Sequence, residues 1–200
     1  MRILLIGASG TIGRAVHQLM GVSHEMITAG RSGGDLKVDI SSPDSIQAMY
    51  REAGEVDAVV CAAGSTYFGT LQDMTPEQNE ISIMSKLRGQ INLVLLGLHH
   101  VRDHGSFTLT TGIVMDDPIR GGASAAMANG AVQAFVRAAA LDMPRGLRIN
   151  NVSPNVVAES AAKYDAFFPG FGSVPVSKVA QAFRKSIEGG QTGQTYRIYG

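Results

Sequence analysis

The chain has 200 residues, 44% hydrophobic and 17% charged, enough for one compact domain with a hydrophobic core and too few for two. Its 17 basic and 17 acidic side chains cancel, so neither nucleic acid nor an anionic membrane is expected as a partner. A single cysteine, Cys61, excludes an intrachain disulfide, and no apolar run is long enough to cross a bilayer, which favours a soluble cytoplasmic protein.

Short aliphatic runs alternate with helical patterns along the whole chain. The predicted strands are Arg2–Ile6, Glu25–Ala29, Leu36–Val38, Ala58–Ala62, Ser106–Thr110, Arg148–Val152 and Thr195–Tyr199. The predicted helices begin near Thr11, Ser42, Thr75, Gly122 and Pro175. This order predicts an α/β fold: a doubly wound Rossmann-type parallel sheet of about seven strands with helices on both faces, in a single domain over residues 1–200.

The first predicted strand runs into three glycines at three-residue spacing and then into a helix. Gly7 permits a tight turn, Gly10 lets backbone amides approach a pyrophosphate, and Gly13 lets the helix pack closely on the strand. The pyrophosphate would lie at the helix N-terminus, which favours an anion. The candidate cofactor-binding residues of this turn are Gly7, Ser9, Gly10, Thr11, Ile12 and Gly13.

The residues after the second and third strands point to the phosphorylated cofactor. An acidic residue after the second strand would bind the ribose of NAD, but this chain has Arg31 and Ser32 there, which suit a 2′-phosphate and favour NADP(H). The alternative is a solvated arginine in a turn. Asp39 could accept from an adenine amino group, or could be an ordinary turn aspartate.

The fourth strand ends in small residues, Ala62, Ala63 and Gly64, which let a sugar approach the backbone. Cys61 before them is interpreted as a small buried hydrophobic residue rather than a nucleophile. The histidines are scattered without metal-binding spacing, so no metal site is predicted.

Taken in order, these segments resemble the short-chain dehydrogenase/reductase family over nearly the whole chain. The resemblance implies a seven-stranded Rossmann-type sheet, a nicotinamide dinucleotide bound also by Pro154 and Val157, and a homodimer or homotetramer formed through the long helices near Ser82–His99 and Ala125–Leu141. One departure is Thr11, where typical members carry glycine. The segments that carry the resemblance are the glycine turn, Arg31-Ser32, Asp39, Cys61–Gly64, Asn150–Pro154 and Thr192–Thr195.

The likeness fails at the catalytic residues. Typical members use a tyrosine acid/base and a lysine four residues later, but the corresponding positions here are Ala125 and Asn129. Neither side chain can replace them, because alanine has no titratable proton and asparagine carries no charge. Thr111 or Gly112 falls at the position of the family's serine, and the Thr111 hydroxyl could polarise a carbonyl.

Lys86 stands where the family has an asparagine in the preceding helix. In the cleft, its ammonium would lie near a substrate carbonyl and could donate the proton; otherwise it is a solvated lysine on an amphipathic helix. The aromatic segment Tyr164–Phe171 suggests a short lid near 155–175, or a packed surface loop.

We therefore predict an NADP(H)-dependent oxidoreductase acting on a small carbonyl or alcohol. In place of the family's tyrosine and lysine, the proton transfer would use Lys86, Thr111, Asn129 or water. The alternative is a non-catalytic NADP(H)-binding sensor or scaffold.

Overall fold

A seven-stranded parallel sheet forms the centre of the computed structural model, which describes residues 1–200. Its order is β3-β2-β1-β4-β5-β6-β9, so the strand order reverses between β1 and β4. The strands are β1 Arg2–Ile6, β2 Glu25–Gly30, β3 Leu36–Lys37, β4 Val56–Cys61, β5 Val101–Thr110, β6 Arg148–Pro154 and β9 Thr195–Ile198. This arrangement confirms the predicted fold class.

Helices cover both faces of the sheet, and those whose starts were predicted begin within one residue of the predicted positions. Ser42 caps α2 by accepting from the Ser45 amide, and Thr75 forms a capping box with Gln78 at the start of α3. A π-helical segment, Ser82–Arg88, joins α3 to α4 without a break. The helices are α1 Thr11–Met20, α2 Pro43–Ala53, α3 Pro76–Ile81, α4 Gly89–Gly97, α5 Ala123–Ala139, α6 Ala161–Tyr164 and α7 Val176–Glu188.

Alternate residues of β1 enter two separate cores, one on each face of the sheet. Leu4 and Ile6 pack into the larger core, under α2, α4 and α5. Ile3 and Leu5 pack into the other core, under α1 and α7. Because β1 is buried on both faces, its near-continuous apolar sequence is that of a central parallel strand. None of the helices combines the length and apolar composition needed to cross a lipid bilayer.

Three features were not predicted from the sequence. Strand β5 begins at Val101, five residues earlier than expected, because pairing with β4 starts at Val56↔Val101, shifts register, and resumes at Ser106. The segment after β6 forms a small second sheet, in which β7 Val156–Val157 pairs with β8 Ser173–Val174. The third is the π-helical segment, which matters for the site because it carries Lys86.

Candidate functional site

The glycine turn after β1 places its three glycines in different surroundings. Gly7 has φ +86°, and a Cβ there would lie 2.9 Å from the Ala62 carbonyl oxygen. A Cβ on Gly13 would lie 2.0 Å from the Gly7 carbonyl oxygen, so α1 could not pack against the glycine turn if residue 13 carried a side chain. A Cβ on Gly10 would make only an ordinary contact, 3.5 Å from the Gly7 carbonyl oxygen, and Gly10 lines both cavities of the site. Gly7 and Gly13 therefore serve packing, whereas Gly10 leaves room for a ligand.

The first turn of α1 has unsatisfied backbone donors. Gly10 is the N-cap and supplies no side-chain acceptor, and the amides of Thr11 and Ile12 have no backbone acceptor. Such amides, together with the positive end of the helix dipole, are suited to an anion. The absence of an acidic residue in this turn leaves the positive potential uncompensated.

Two cavities, each of about 470 Å³, meet at the carboxyl ends of β1 and β4. We call them the turn cavity, beside the glycine turn and Arg31, and the lid cavity, between Lys86 and the segment 155–168. They share Gly10, Ala62 and Gly64, so they form one continuous cleft. The cleft lies where the strand order reverses, which is the usual place for a ligand in a doubly wound sheet.

The turn cavity contains most of the predicted cofactor-binding residues. Arg31 and Ser32 are exposed at its rim, and Arg31 has no ion-pair or hydrogen-bond partner. Asp39 also lines it, but one of its oxygens accepts from the amide and hydroxyl of Ser41, which lowers the pKa of Asp39. Asp39 is therefore held in a local turn through one carboxylate oxygen, while its other oxygen has no hydrogen-bond partner. The remaining predicted residues that line this cavity are Gly7, Ser9, Gly10, Ala62, Ala63 and Gly64.

Lys86 is buried in the lid cavity, which excludes the alternative of a solvated lysine. Its exposed fraction is 7%, and Gly64 packs so closely on its stem that a Cβ there would lie 2.7 Å from the Lys86 Cδ. The ammonium has no hydrogen-bond or ion-pair partner. Burial lowers the pKa of Lys86 to about 8, although the nearby Cys61 thiol acts in the opposite direction. Burial in turn raises the pKa of Cys61 to about 11, so that thiol is neutral at physiological pH.

Two serines of the π-helical segment that carries Lys86 bind the loop after β4. The Ser82 hydroxyl oxygen accepts from the Tyr67 amide at 2.9 Å, and that of Ser85 accepts from the Ser65 amide at 3.0 Å. These bonds fix the loop after β4 against the segment. A π-helix bonds each residue to one five positions away, which shifts side-chain directions relative to an α-helix and is frequent at functional sites. Lys86 lies on this segment and its side chain is buried.

Thr111 and Asn129 line the same cavity as Lys86. The Asn129 amide nitrogen donates to the Ala125 carbonyl at 2.9 Å, but its Oδ1 atom is buried and has no partner. The Thr111 hydroxyl oxygen accepts from Asn151 at 2.7 Å and is 3.5 Å from the Val152 carbonyl oxygen. A buried acceptor without a donor costs free energy, so the Asn129 Oδ1 atom is a destabilising feature next to the cavity.

Helix α5 presents no tyrosine or lysine to this cavity. Its sequence contains neither residue, and Ala125, which the family resemblance predicted at the position of the tyrosine, is fully buried. Gly112 also lines the cavity, so both candidates for the serine position reach it. The titratable side chains that do line it are Lys86, Lys163 and Tyr164.

The segment predicted as a lid covers one side of the lid cavity. Pro154, Val157 and Phe168 line it, and the Ser160 hydroxyl is 2.9 Å from that of Thr11 in the glycine turn. The Phe168 ring lies 6.4 Å from that of Phe68, in the loop after β4. The segment is therefore joined to both sides of the cleft. Of the remaining predicted residues, Thr11 and Ile12 line the lid cavity, whereas Gly13 lines neither and acts by packing.

Sequence reasoning missed Gln90, one turn after Lys86. Its side-chain amide donates to the Thr110 carbonyl at 2.8 Å and accepts from the Thr110 amide at 2.9 Å, and it contacts the Ala63 carbonyl at 3.3 Å. Gln90 therefore ties the ends of β4 and β5 together beneath the cleft. A glutamine in the mainly apolar α4 was the available signal. Lys163 and Phe68 were also missed, because only the folded chain brings them to the lid cavity.

Residues 14–182 match a family model described as enoyl-(acyl carrier protein) reductase. Versicolorin reductase stcU of Emericella nidulans is 28% identical over 153 residues, which are 73% of this chain and 56% of that protein. Versicolorin reductase 1 of Aspergillus parasiticus is 30% identical over 139 residues, which are 66% of this chain and 51% of that protein. The chain therefore spans little more than half the length of these two relatives.

Solved structures share the whole architecture. The crystal structure of the protein lin1944 from Listeria innocua has 60% sequence identity, a TM-score of 0.98, and 100% coverage of both chains. A small-chain dehydrogenase solved in complex with NADPH has 22% identity and a TM-score of 0.87, with coverage of 99% of this chain and 96% of that one. Because the NADPH-bound dehydrogenase is only 22% identical, its similarity to this chain shows a shared fold and nothing more.

Proposed function

Because this chain belongs to the short-chain dehydrogenase/reductase family, we propose that it is an NADP(H)-dependent oxidoreductase that transfers a hydride to or from a small carbonyl or alcohol substrate. The observation that carries the proposal is the cleft at the reversal of strand order, which joins the unsatisfied amides of α1 to a cavity containing a buried, unpaired lysine. The NADPH complex of the structural neighbour supports the same choice of cofactor.

The residues present fit a dinucleotide along this cleft. Gly10 leaves space where backbone amides would meet the pyrophosphate, and the unpaired guanidinium of Arg31 suits a ribose phosphate. The small residues Ala62 and Gly64 would allow the sugar nearer the lid cavity to approach the backbone. When bound with its nicotinamide in that cavity, NADPH supplies the hydride for reduction of a carbonyl carbon.

Lys86 supplies the proton in this proposal. As the carbonyl carbon receives the hydride, the Lys86 ammonium donates a proton to the carbonyl oxygen, which yields the alcohol and leaves a neutral amine. Burial favours proton donation by Lys86, because it makes this ammonium a stronger acid than that of a solvated lysine. Thr111 offers a second donor to the oxygen, and the amine regains its proton from water at the mouth of the cavity. Asn129 contributes a neutral polar side chain to the wall of the same cavity.

Two measurements on the purified protein test the proposal. Titration followed by NADPH fluorescence is expected to detect binding, and NADPH oxidation is expected with some members of a panel of aldehydes, ketones and quinones. NADPH binding without turnover of any panel member would instead favour the sensor or scaffold, which the lack of tyrosine and lysine in α5 also suits. No binding of either coenzyme would contradict both functions.

We expect Arg31→Asp to change the choice of coenzyme. The substitution replaces a donor to the 2′-phosphate by a like charge, so NADPH binding should weaken by about 10- to 100-fold while NADH binding stays within about threefold. Fluorescence titration with each coenzyme measures both values. The exposed Arg51 at the end of α2 provides a matched control, and Arg51→Asp should alter neither. Equal weakening of both coenzymes would contradict the role of Arg31.

The rate of carbonyl reduction should fall at alkaline pH. The pKa of Lys86 is lowered to about 8, so the donor is protonated below that pH and loses its proton above it. We therefore expect kcat to be level up to about pH 8 and then to decrease about tenfold per pH unit. The Cys61 thiol, with its pKa raised to about 11, does not titrate in this range. A rate that rises steadily between pH 7 and about 9.5 would rule out an ammonium donor.

A further inference from the structure

The lid cavity carries an uncompensated positive charge. Lys86 and Lys163 line it, and no aspartate or glutamate does. Neither lysine takes part in any ion pair of the structure. The whole chain is neutral, with 17 basic and 17 acidic side chains, so this charge is a local property of the cavity. A cavity with one sign of charge and low-dielectric walls attracts ligands of the opposite charge.

The two lysines lie at different depths. Lys86 is buried on the π-helical segment, whereas Lys163 is exposed on α6, with its ammonium 5.5 Å from the centre of the Tyr164 ring. Neither ammonium has an ion-pair partner, so a ligand with a negative charge in the cavity would interact favourably with both. Lys163 is free to meet a charged group at the mouth of the cavity.

Apolar side chains form much of the remaining wall. Ile113 and Val114 are buried in a small cluster against which Phe68 and Phe168 pack. All four line the lid cavity. A small, fully polar anion would leave this surface in contact with water, whereas a ligand with an apolar body would cover it. The wall and the charge together select an amphipathic anion.

We propose that the substrate is a carbonyl compound with an apolar body and a carboxylate, and that Lys163 selects the carboxylate. The inference rests on the proposed function, because it assigns the reacting carbonyl to Lys86 and Thr111 in the same cavity. The carbonyl oxygen accepts from Lys86, the apolar body packs on Phe68 and Phe168, and the carboxylate meets Lys163 at the mouth.

A matched pair of aldehydes tests the charge preference. 4-Formylbenzoate and its neutral near-isostere 4-formylbenzamide differ mainly in charge, and calorimetric titration into protein saturated with NADP⁺ measures each dissociation constant without turnover. We expect the acid to bind about tenfold more tightly than the amide at low ionic strength, and the difference to shrink as salt is added. Equal affinities, or tighter binding of the amide, would overturn the proposal.

Variants distinguish the contribution of Lys163 to the preference for the acid from that of other lysines. Lys163→Gln should reduce the preference for the acid by about fivefold, as expected for a partly exposed ion pair, and Lys163→Arg should retain it. Lys178→Gln, at an exposed lysine of α7 outside the cavity, should leave it unchanged. If Lys163→Gln weakens NADPH binding and leaves the preference intact, the lysine serves the coenzyme and the proposal is wrong.

The test of the substrate class can fail independently of the test of the proposed oxidoreductase function. NADPH binding and turnover of neutral aldehydes report on the oxidoreductase alone. If both are present and the acid is not preferred, only the substrate class is wrong. If the coenzyme does not bind, the proposed function fails, and the same two titrations into the coenzyme-free protein still test the charge preference of the cavity.

Discussion

Lys86→Met is expected to lower kcat for carbonyl reduction by about 10²- to 10⁴-fold, the usual contribution of a positioned general acid. Methionine keeps most of the apolar stem that packs against Gly64 but has no proton to donate. NADPH affinity should fall much less than kcat, because the turn cavity, which would hold the pyrophosphate and the ribose phosphate, does not include Lys86. Steady-state kinetics and fluorescence titration measure the two effects separately.

A second readout distinguishes proton donation from a structural role. The variant should lose the alkaline decrease in kcat, since the group that titrates is gone. Removing an unpaired buried charge should also raise the melting temperature at pH 7, so activity and stability should change in opposite directions. Lys178→Met, at an exposed position of α7, is the control and should leave rate and pH profile unchanged. An unchanged kcat in Lys86→Met would show that the proton comes from elsewhere.

Gly13→Ala is expected to reduce the free energy of unfolding by about 3 kcal/mol and to abolish measurable NADPH binding. The added Cβ would lie 2.0 Å from the Gly7 carbonyl oxygen, which belongs to the backbone and cannot rotate away. Helix α1 would have to move off β1, and the glycine turn would change shape with it. Denaturant unfolding and NADPH titration measure the two losses.

Two other glycines provide controls for this prediction. Gly130 lies in α5, and a methyl group added there would have no neighbouring atom within 4 Å, so Gly130→Ala should stabilise the protein by about 0.5–1 kcal/mol through helix propensity. Gly10→Ala would find its nearest atom at 3.5 Å, so folding should be preserved while the methyl group obstructs the cleft and weakens NADPH binding. Wild-type stability in Gly13→Ala would contradict the packing role of Gly13.

Local patterns in the sequence were enough to predict the fold. Apolar runs of strand length between amphipathic helices predicted a doubly wound parallel sheet, and the structure has that sheet. The caps at Ser42 and Thr75 located two helix starts, because capping depends on residues only three positions apart. The glycine turn was recognisable for the same reason: its spacing is set by contacts within seven residues. The family resemblance followed from these segments.

Less of the candidate site could be predicted from local sequence patterns. The sequence identified Lys86, Thr111 and Asn129, but it left open whether Lys86 is solvated. Helical periodicity assumes 3.6 residues per turn, and the π-helical segment departs from that period at Lys86. In the structure Ser82 and Ser85 join this segment to the loop after β4, and Lys86 on the segment is buried.

The sequence by itself therefore determined the order of strands and helices, the glycine turn and the family, since each depends on residues close together in the chain. Only the tertiary structure decided that Lys86 is buried, that Asn129 keeps an unpartnered oxygen, and that Lys163 reaches the same cavity. The physical reason is that burial and electrostatic environment are set by neighbours distant in sequence. Those neighbours meet only when the sheet brings the carboxyl ends of its strands together.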